Sequence, residues 1–119
     1  NELLNKYPND ANLYYNVGVL YQRLAKDIQV RSKDNFNRLN EMDIPSELLI
    51  TQVYSDFRKV RNYANNAKDY FYEASDLEKD ENLDTNHAIS EMKSAMNQMD
   101  DIFIPSIRKI ANSAGVELD

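Results

Sequence analysis

Between residues 44 and 79, apolar side chains recur without a break at alternating spacings of three and four. They are Ile50, Val53, Phe57, Val60, Ala64, Ala67, Phe71 and Ala74. That spacing aligns side chains along one stripe of a helix. A second line, Leu49, Tyr54, Tyr63, Tyr70 and Leu77, widens the apolar face. A helix apolar on more than one side needs a partner on each side, and the rest of the chain is expected to supply them. The spacing predicts a helix from Pro45 to Lys79. Its stripe can serve either as the core of this chain or as a coiled-coil seam between copies.

The flanking sequence supplies two more helices. Asp10 is placed to cap a helix beginning near Ala11. Leu13, Val17, Leu20, Tyr21, Leu24 and Ile28 form its expected stripe, which resumes at Phe36 and Leu39 and ends near Asn40. Asp27 and Arg31 stand four apart, as an i,i+4 ion pair requires. The link from Asn40 to Pro45 is short, which favours antiparallel neighbours. Pro45 suits a first helical turn, and Glu47 complements the helix dipole. A third helix is expected after a cap at Asp84 or Thr85. It carries Ile89, Met92, Met96, Met99, Ile102, Phe103, Ile107 and Ile110, with Gly115 as its stop. Pro105 falls inside it and predicts a kink near Asp101 to Ile104, or a break into two helices. Leu3 and Leu4 read as the last turn of a helix that begins before this sequence or as a short helical lead, and Pro8 ends it. Two glycines and three prolines leave little turn chemistry for a sheet. The expected fold is all-α: a long antiparallel hairpin plus a third long, kinked helix, in one domain spanning 1–119.

A net charge of −6 argues against binding nucleic acid through its phosphates. There is no cysteine, hence no disulfide or thiolate chemistry. No apolar run reaches the roughly 20 residues a membrane span needs. Neither a phosphate loop nor a nucleophile elbow occurs, and the carboxylates sit at surface spacings, so a non-catalytic chain without a cofactor is expected. The sequence begins at Asn1 without methionine, as a piece of a larger helical parent would. The compartment stays open.

Tyr14, Val17, Gly18 and Tyr21 match the aromatic-x-x-Leu-Gly-x-x-Tyr pattern in the first helix of a tetratricopeptide repeat. Tyr7-Pro8-Asn9-Asp10 is similar to the link between such repeats. Ala67, Phe71 and Ala74 match the Ala-x-x-x-Phe-x-x-Ala of the second helix. The chain therefore resembles a tetratricopeptide-repeat protein, of a bacterial class with elongated repeat helices. It departs from the pattern in length, since about 24–62 are extra between the half-motifs, and in carrying Lys93 where a next repeat would have glycine. The resemblance implies a scaffold that binds a protein segment or its own neighbouring repeats. In that packing Gly18 admits the second helix, while Tyr14 and Tyr21 fill the groove.

Three further patterns bear on function. Asp80, Asn82, Asp84, Asn86, Ala88 and Glu91 fall at the ligand spacings of a calcium loop, but Thr85 stands where that loop needs glycine. An acidic interhelix link is the other reading of this stretch. His87, the only histidine, lies one turn from Glu91 and reads as a solvated side chain. Tyr54, Tyr63, Tyr70, Met92, Met96 and Met99 supply either core or an adaptable interaction face. The functional expectation is a protein-interaction or scaffold module. The alternatives are a structural bundle that self-associates and, third, a calcium-responsive domain.

Overall fold

The computed structural model of the chain describes residues 2–78 and 83–119. Helix α1 spans Glu2–Lys6, α2 spans Ala11–Asn40 and α3 spans Glu47–Leu77. Helix α4 spans Thr85–Gln98. It runs through a π-helical turn at Met99–Phe103 into α5, Ile104–Ala114. No strand occurs among the described residues. The fold is an all-α bundle in which α2 and α3 form a long antiparallel hairpin, and α4, the π turn and α5 pack along α3. Its long dimension is 55 Å, made up of about 45 Å for a 30-residue helix at about 1.5 Å per residue and the links at its ends.

The local signals explain most helix ends. Asp10 accepts the Leu13 amide at 3.1 Å and caps α2. Ser46 caps α3 by accepting from the Leu49 amide at 3.2 Å. The helix therefore begins one residue after the cap, at Glu47, and Pro45 lies outside it rather than in its first turn. Gly115 adopts φ 72°, the left-handed conformation that ends a helix cheaply only for glycine. At the other end α3 stops at Leu77, where Glu78 is extended at φ −71° and ψ 128°, short of the expected end at Lys79, which itself lies outside the described residues.

The stripe on α3 is the core of the molecule. All eight of its residues, from Ile50 to Ala74, are fully buried. It is therefore unavailable as a seam between copies. The facing seam of α2 is Gly18, Ala25, Ser32 and Leu39, spaced by seven and buried throughout. The stripe on α3 repeats at the same interval. The antiparallel register that sets Gly18 against Phe71 thus puts Ala25 level with Ala64, Ser32 with Phe57 and Leu39 with Ile50. Small residues on α2 make room for the phenylalanines of α3. A Cβ on Gly18 would lie 2.7 Å from the Phe71 ring. Ser32 turns its hydroxyl back to the Gln29 carbonyl at 3.0 Å, so its burial leaves no orphaned donor.

Two expectations for α2 fail. Leu20 and Leu24 are 58% and 46% exposed, because the seam follows the small residues and not the leucines. Arg31 bonds across the hairpin to Asp56, at 3.1 and 3.4 Å, rather than one turn back to Asp27. Asp56 is buried and its carboxylate needs a cation there, whereas a solvated Asp27 does not.

The kink expected around Pro105 is the π turn. Proline has no amide for a regular helical bond and its ring crowds the carbonyl four residues back. The wider turn, with the Ile104 amide donating to the Met99 carbonyl, relieves both constraints. Ser106 Oγ donates to the Ile102 carbonyl at 2.6 Å. The turn also keeps Met99, Phe103 and Ile107 on one face although they stand four apart. Met99 and Ile107 are fully buried there, and Phe103 is half-buried beside Phe57 at 5.3 Å.

Candidate interaction groove

Helix α4 packs on α3 but stands away from α2, which leaves an open groove of about 700 Å³ between α2 and α4. Val19, Ala25, Met92 and Ala95 give it an apolar part. Gln22, Arg23, Lys26 and Gln29 from α2 face His87, Glu91, Ser94 and Gln98 from α4. One bond spans the gap: the Gln22 amide donates to Glu91 Oε2 at 2.9 Å. His87 Nε2 lies 2.7 Å from the other Glu91 oxygen. Arg61 and Arg31 are tied to Asp100 and Asp56. Arg23 and Lys26, by contrast, meet no carboxylate among the described residues. The groove therefore offers side-chain amides along both walls, serine hydroxyls and the Glu91 carboxylate on α4, and on α2 two cations without a carboxylate partner among the described residues. Such a lining suits the backbone and acidic side chains of an extended segment better than a compact apolar ligand.

The tyrosines form a separate feature on the opposite edge of the hairpin. Tyr14, Tyr70, Tyr21 and Tyr63 alternate between α2 and α3 as a ladder. Ring centroids are 6.3 Å apart for Tyr14–Tyr70, 5.5 Å for Tyr21–Tyr70 and 6.0 Å for Tyr21–Tyr63. Tyr21 and Tyr70 are stacked at 10°. Burial, and then the neighbouring Tyr21 and Tyr14, raise the Tyr70 phenol above its ordinary 10.0. The folded protein thus holds this proton more tightly than the unfolded chain. The associated stability is complete below pH 10 and declines as pH rises from 10 through the folded value. Melting temperatures from pH 8 to 12 should fall less steeply for Tyr70→Phe than for the unaltered chain. Parallel curves would show that the ladder does not hold this proton.

The other expected site residues are dispersed. Tyr54 is buried between α3 and α5, and its hydroxyl accepts from Arg108 Nη2 at 2.7 Å. Met92 and Met99 are core residues in separate clusters, and Met96 is half-buried beside the first. Tyr54, Tyr63, Tyr70, Met92, Met96 and Met99 therefore do not form one face. Val17, Gly18, Ala67, Phe71 and Ala74 all lie buried at the hairpin interface, where Tyr15 adds a ring 5.3 Å from Phe71. Of the calcium-loop residues, Asp80 and Asn82 lie outside the described residues. Asp84 is the α4 N-cap, and Asn86 and Glu91 already sit on the helix. The helix starts at Thr85, where a calcium loop needs its sharp turn, and Glu91 is engaged by Gln22 and His87. Among the described residues no three His, Cys, Asp or Glu side chains gather to hold a metal ion.

No single-sequence signal marked Gln22, Arg23, Lys26 or Gln29. Their spacing reads as a solvated helix face until α4 is placed opposite. Comparison with family models, curated proteins and solved structures finds no match to this chain.

Proposed function

We propose that this chain is a non-catalytic interaction module, of the tetratricopeptide kind that its motifs resemble, which holds an extended acidic protein segment in the groove between α2 and α4. The observation that carries this reading is the pair of cations, Arg23 and Lys26, that meet no carboxylate among the described residues, on the wall of a polar groove in a chain of net charge −6. Cations on a groove wall focus the local field and favour approach of an acidic segment. The bond from Gln22 to Glu91 fixes the spacing of the walls. The close approach at Gly18 and Phe71 seats α2 against α3 beneath them.

Selection from a random displayed peptide library tests the proposal. Peptides enriched in Asp and Glu are expected, with affinity falling about tenfold or more against Arg23→Glu/Lys26→Glu. Enrichment of uncharged or basic peptides, or equal binding to the charge-reversed chain, contradicts it.

A second reading has its own observation. Leu20 and Leu24 lie exposed within a turn of Tyr21, on an edge of α2 outside the hairpin seam. That edge supports stacking of another helical unit, as the tetratricopeptide reading implies, or of a second copy. Sedimentation velocity of the chain and of Leu20→Glu/Leu24→Glu separates these. A dimer abolished by the substitutions favours a second copy, and a monomer in both leaves the edge to a neighbouring unit.

A further inference from the structure

His87, the one histidine of the chain, stands on the α4 wall of the groove. Its side chain is 67% exposed, so water exchanges its proton freely, and its Nε2 lies 2.7 Å from Glu91 Oε1. The other Glu91 oxygen accepts from the Gln22 amide of α2 at 2.9 Å. One carboxylate thus joins the imidazole to the opposite wall. The charged side chains that face this groove are few. Arg23 and Lys26 come from α2, Glu91 comes from α4, and α3 adds none among the described lining residues. With the imidazole neutral, the lining holds two cations and one carboxylate, and that carboxylate opposes an acidic ligand. A hydrogen bond to Glu91 already requires a proton on Nε2, so the titrating proton belongs to Nδ1. Its uptake creates a cation beside Glu91, and the field of Arg23 and Lys26 then meets an acidic ligand without that opposing charge.

We propose that His87 makes the groove pH-responsive, so that an extended acidic segment binds more tightly as the medium acidifies through the histidine range. The proposal rests on the reading of the groove as the site for such a segment. Histidine is the side chain whose charge ordinarily changes between about pH 5 and 8, while carboxylates, lysines and arginines titrate outside those limits. The response therefore belongs to one residue and to one end of the groove. Its size is that of a single exposed charge pair, about threefold in affinity.

The probe is an N-acetylated, histidine-free peptide rich in Asp and Glu, selected from the displayed library at about pH 7.5. Its dissociation constant is measured by calorimetry at about pH 7.5 and about pH 5.5, at constant low ionic strength. The unaltered chain should bind about threefold more tightly at the lower pH, and the ratio should fall to about one in His87→Gln. Glu91→Gln, which still offers an acceptor to Gln22, should bind more tightly than the unaltered chain at the higher pH. Equal affinity at the two pH values, or an undiminished ratio in His87→Gln, overturns the pH response and leaves the groove reading standing, provided that Arg23→Glu/Lys26→Glu still weakens binding. Weaker binding by Glu91→Gln also overturns it, since the carboxylate would then be helping the ligand. Equal binding by the charge-reversed chain at both pH values overturns the groove reading and the pH response together.

Discussion

Truncation of Phe57 to alanine is expected to cost the fold about 3–5 kcal/mol, the range for emptying a closed aromatic site. Phe57 is fully buried at the point where α2, α3 and the π turn meet. Its ring lies 5.7 Å from Phe36 of α2 and 5.3 Å from Phe103 of the π turn, and those two rings are 6.0 Å apart in an edge-on arrangement. Lys33 covers the outer side of Phe103 at 5.0 Å. Removing the central ring leaves the other two without a partner, and three helices cannot all close on the gap. For a chain near 100 residues the melting temperature should fall by more than about 12 °C in a thermal melt followed by circular dichroism. Phe57→Leu keeps most of the volume and should lose much less. A fall of under about 4 °C for the alanine variant would mean that the three helices do not converge on this residue.

Gly18 carries the second large effect. Alanine at an ordinary helical glycine gains up to about 1 kcal/mol of helix propensity. Here the added carbon meets Phe71 Cε1 at 2.7 Å and Cδ1 at 2.8 Å, and that ring is fully buried with nowhere to swing. The clash outweighs the propensity gain. Gly18→Ala is expected to destabilise slightly, and Gly18→Leu by about 3 kcal/mol, at the upper end of overpacking costs. A double-mutant cycle in urea isolates the contact. In a Phe71→Ala background, Gly18→Leu refills the vacated space, so the pair should be about 1–2 kcal/mol more stable than the sum of the single changes. Strict additivity would place the two residues out of contact.

The extent to which the fold could be read from the sequence follows from where burial coincides with hydrophobicity. Along the stripe of α3 the two coincide, since large apolar and alanine side chains occupy the same three-four positions, although the helix also buries Asp56 and exposes Leu48. On α2 it does not. The seam of Gly18, Ala25, Ser32 and Leu39 contains one large apolar residue, while Leu20 and Leu24 advertise a face that the bundle leaves open. Periodicity cannot distinguish a core stripe from a stripe awaiting another partner. The π turn was legible only as a disturbance around Pro105, because a widened turn is set by backbone bonding. Arg31 chose Asp56 over Asp27 because a buried carboxylate gains more from a cation than a solvated one does, and burial of Asp56 is a tertiary fact. The groove was illegible for a related reason. Its walls come from segments far apart in sequence, 69 residues at the Gln22–Glu91 bond, and each wall alone is an ordinary polar helix face.

The groove is the central claim of the proposed function, and mapping a bound peptide tests it most directly. An acidic peptide from the displayed library, titrated into the isotope-labelled chain, should shift amides of α2 from Val19 to Gln29 and of α4 from His87 to Gln98. The tyrosine edge should stay still. Shifts centred instead on Tyr14, Tyr21, Tyr63 and Tyr70, or spread evenly over the bundle, would contradict the assignment of the groove as the binding surface.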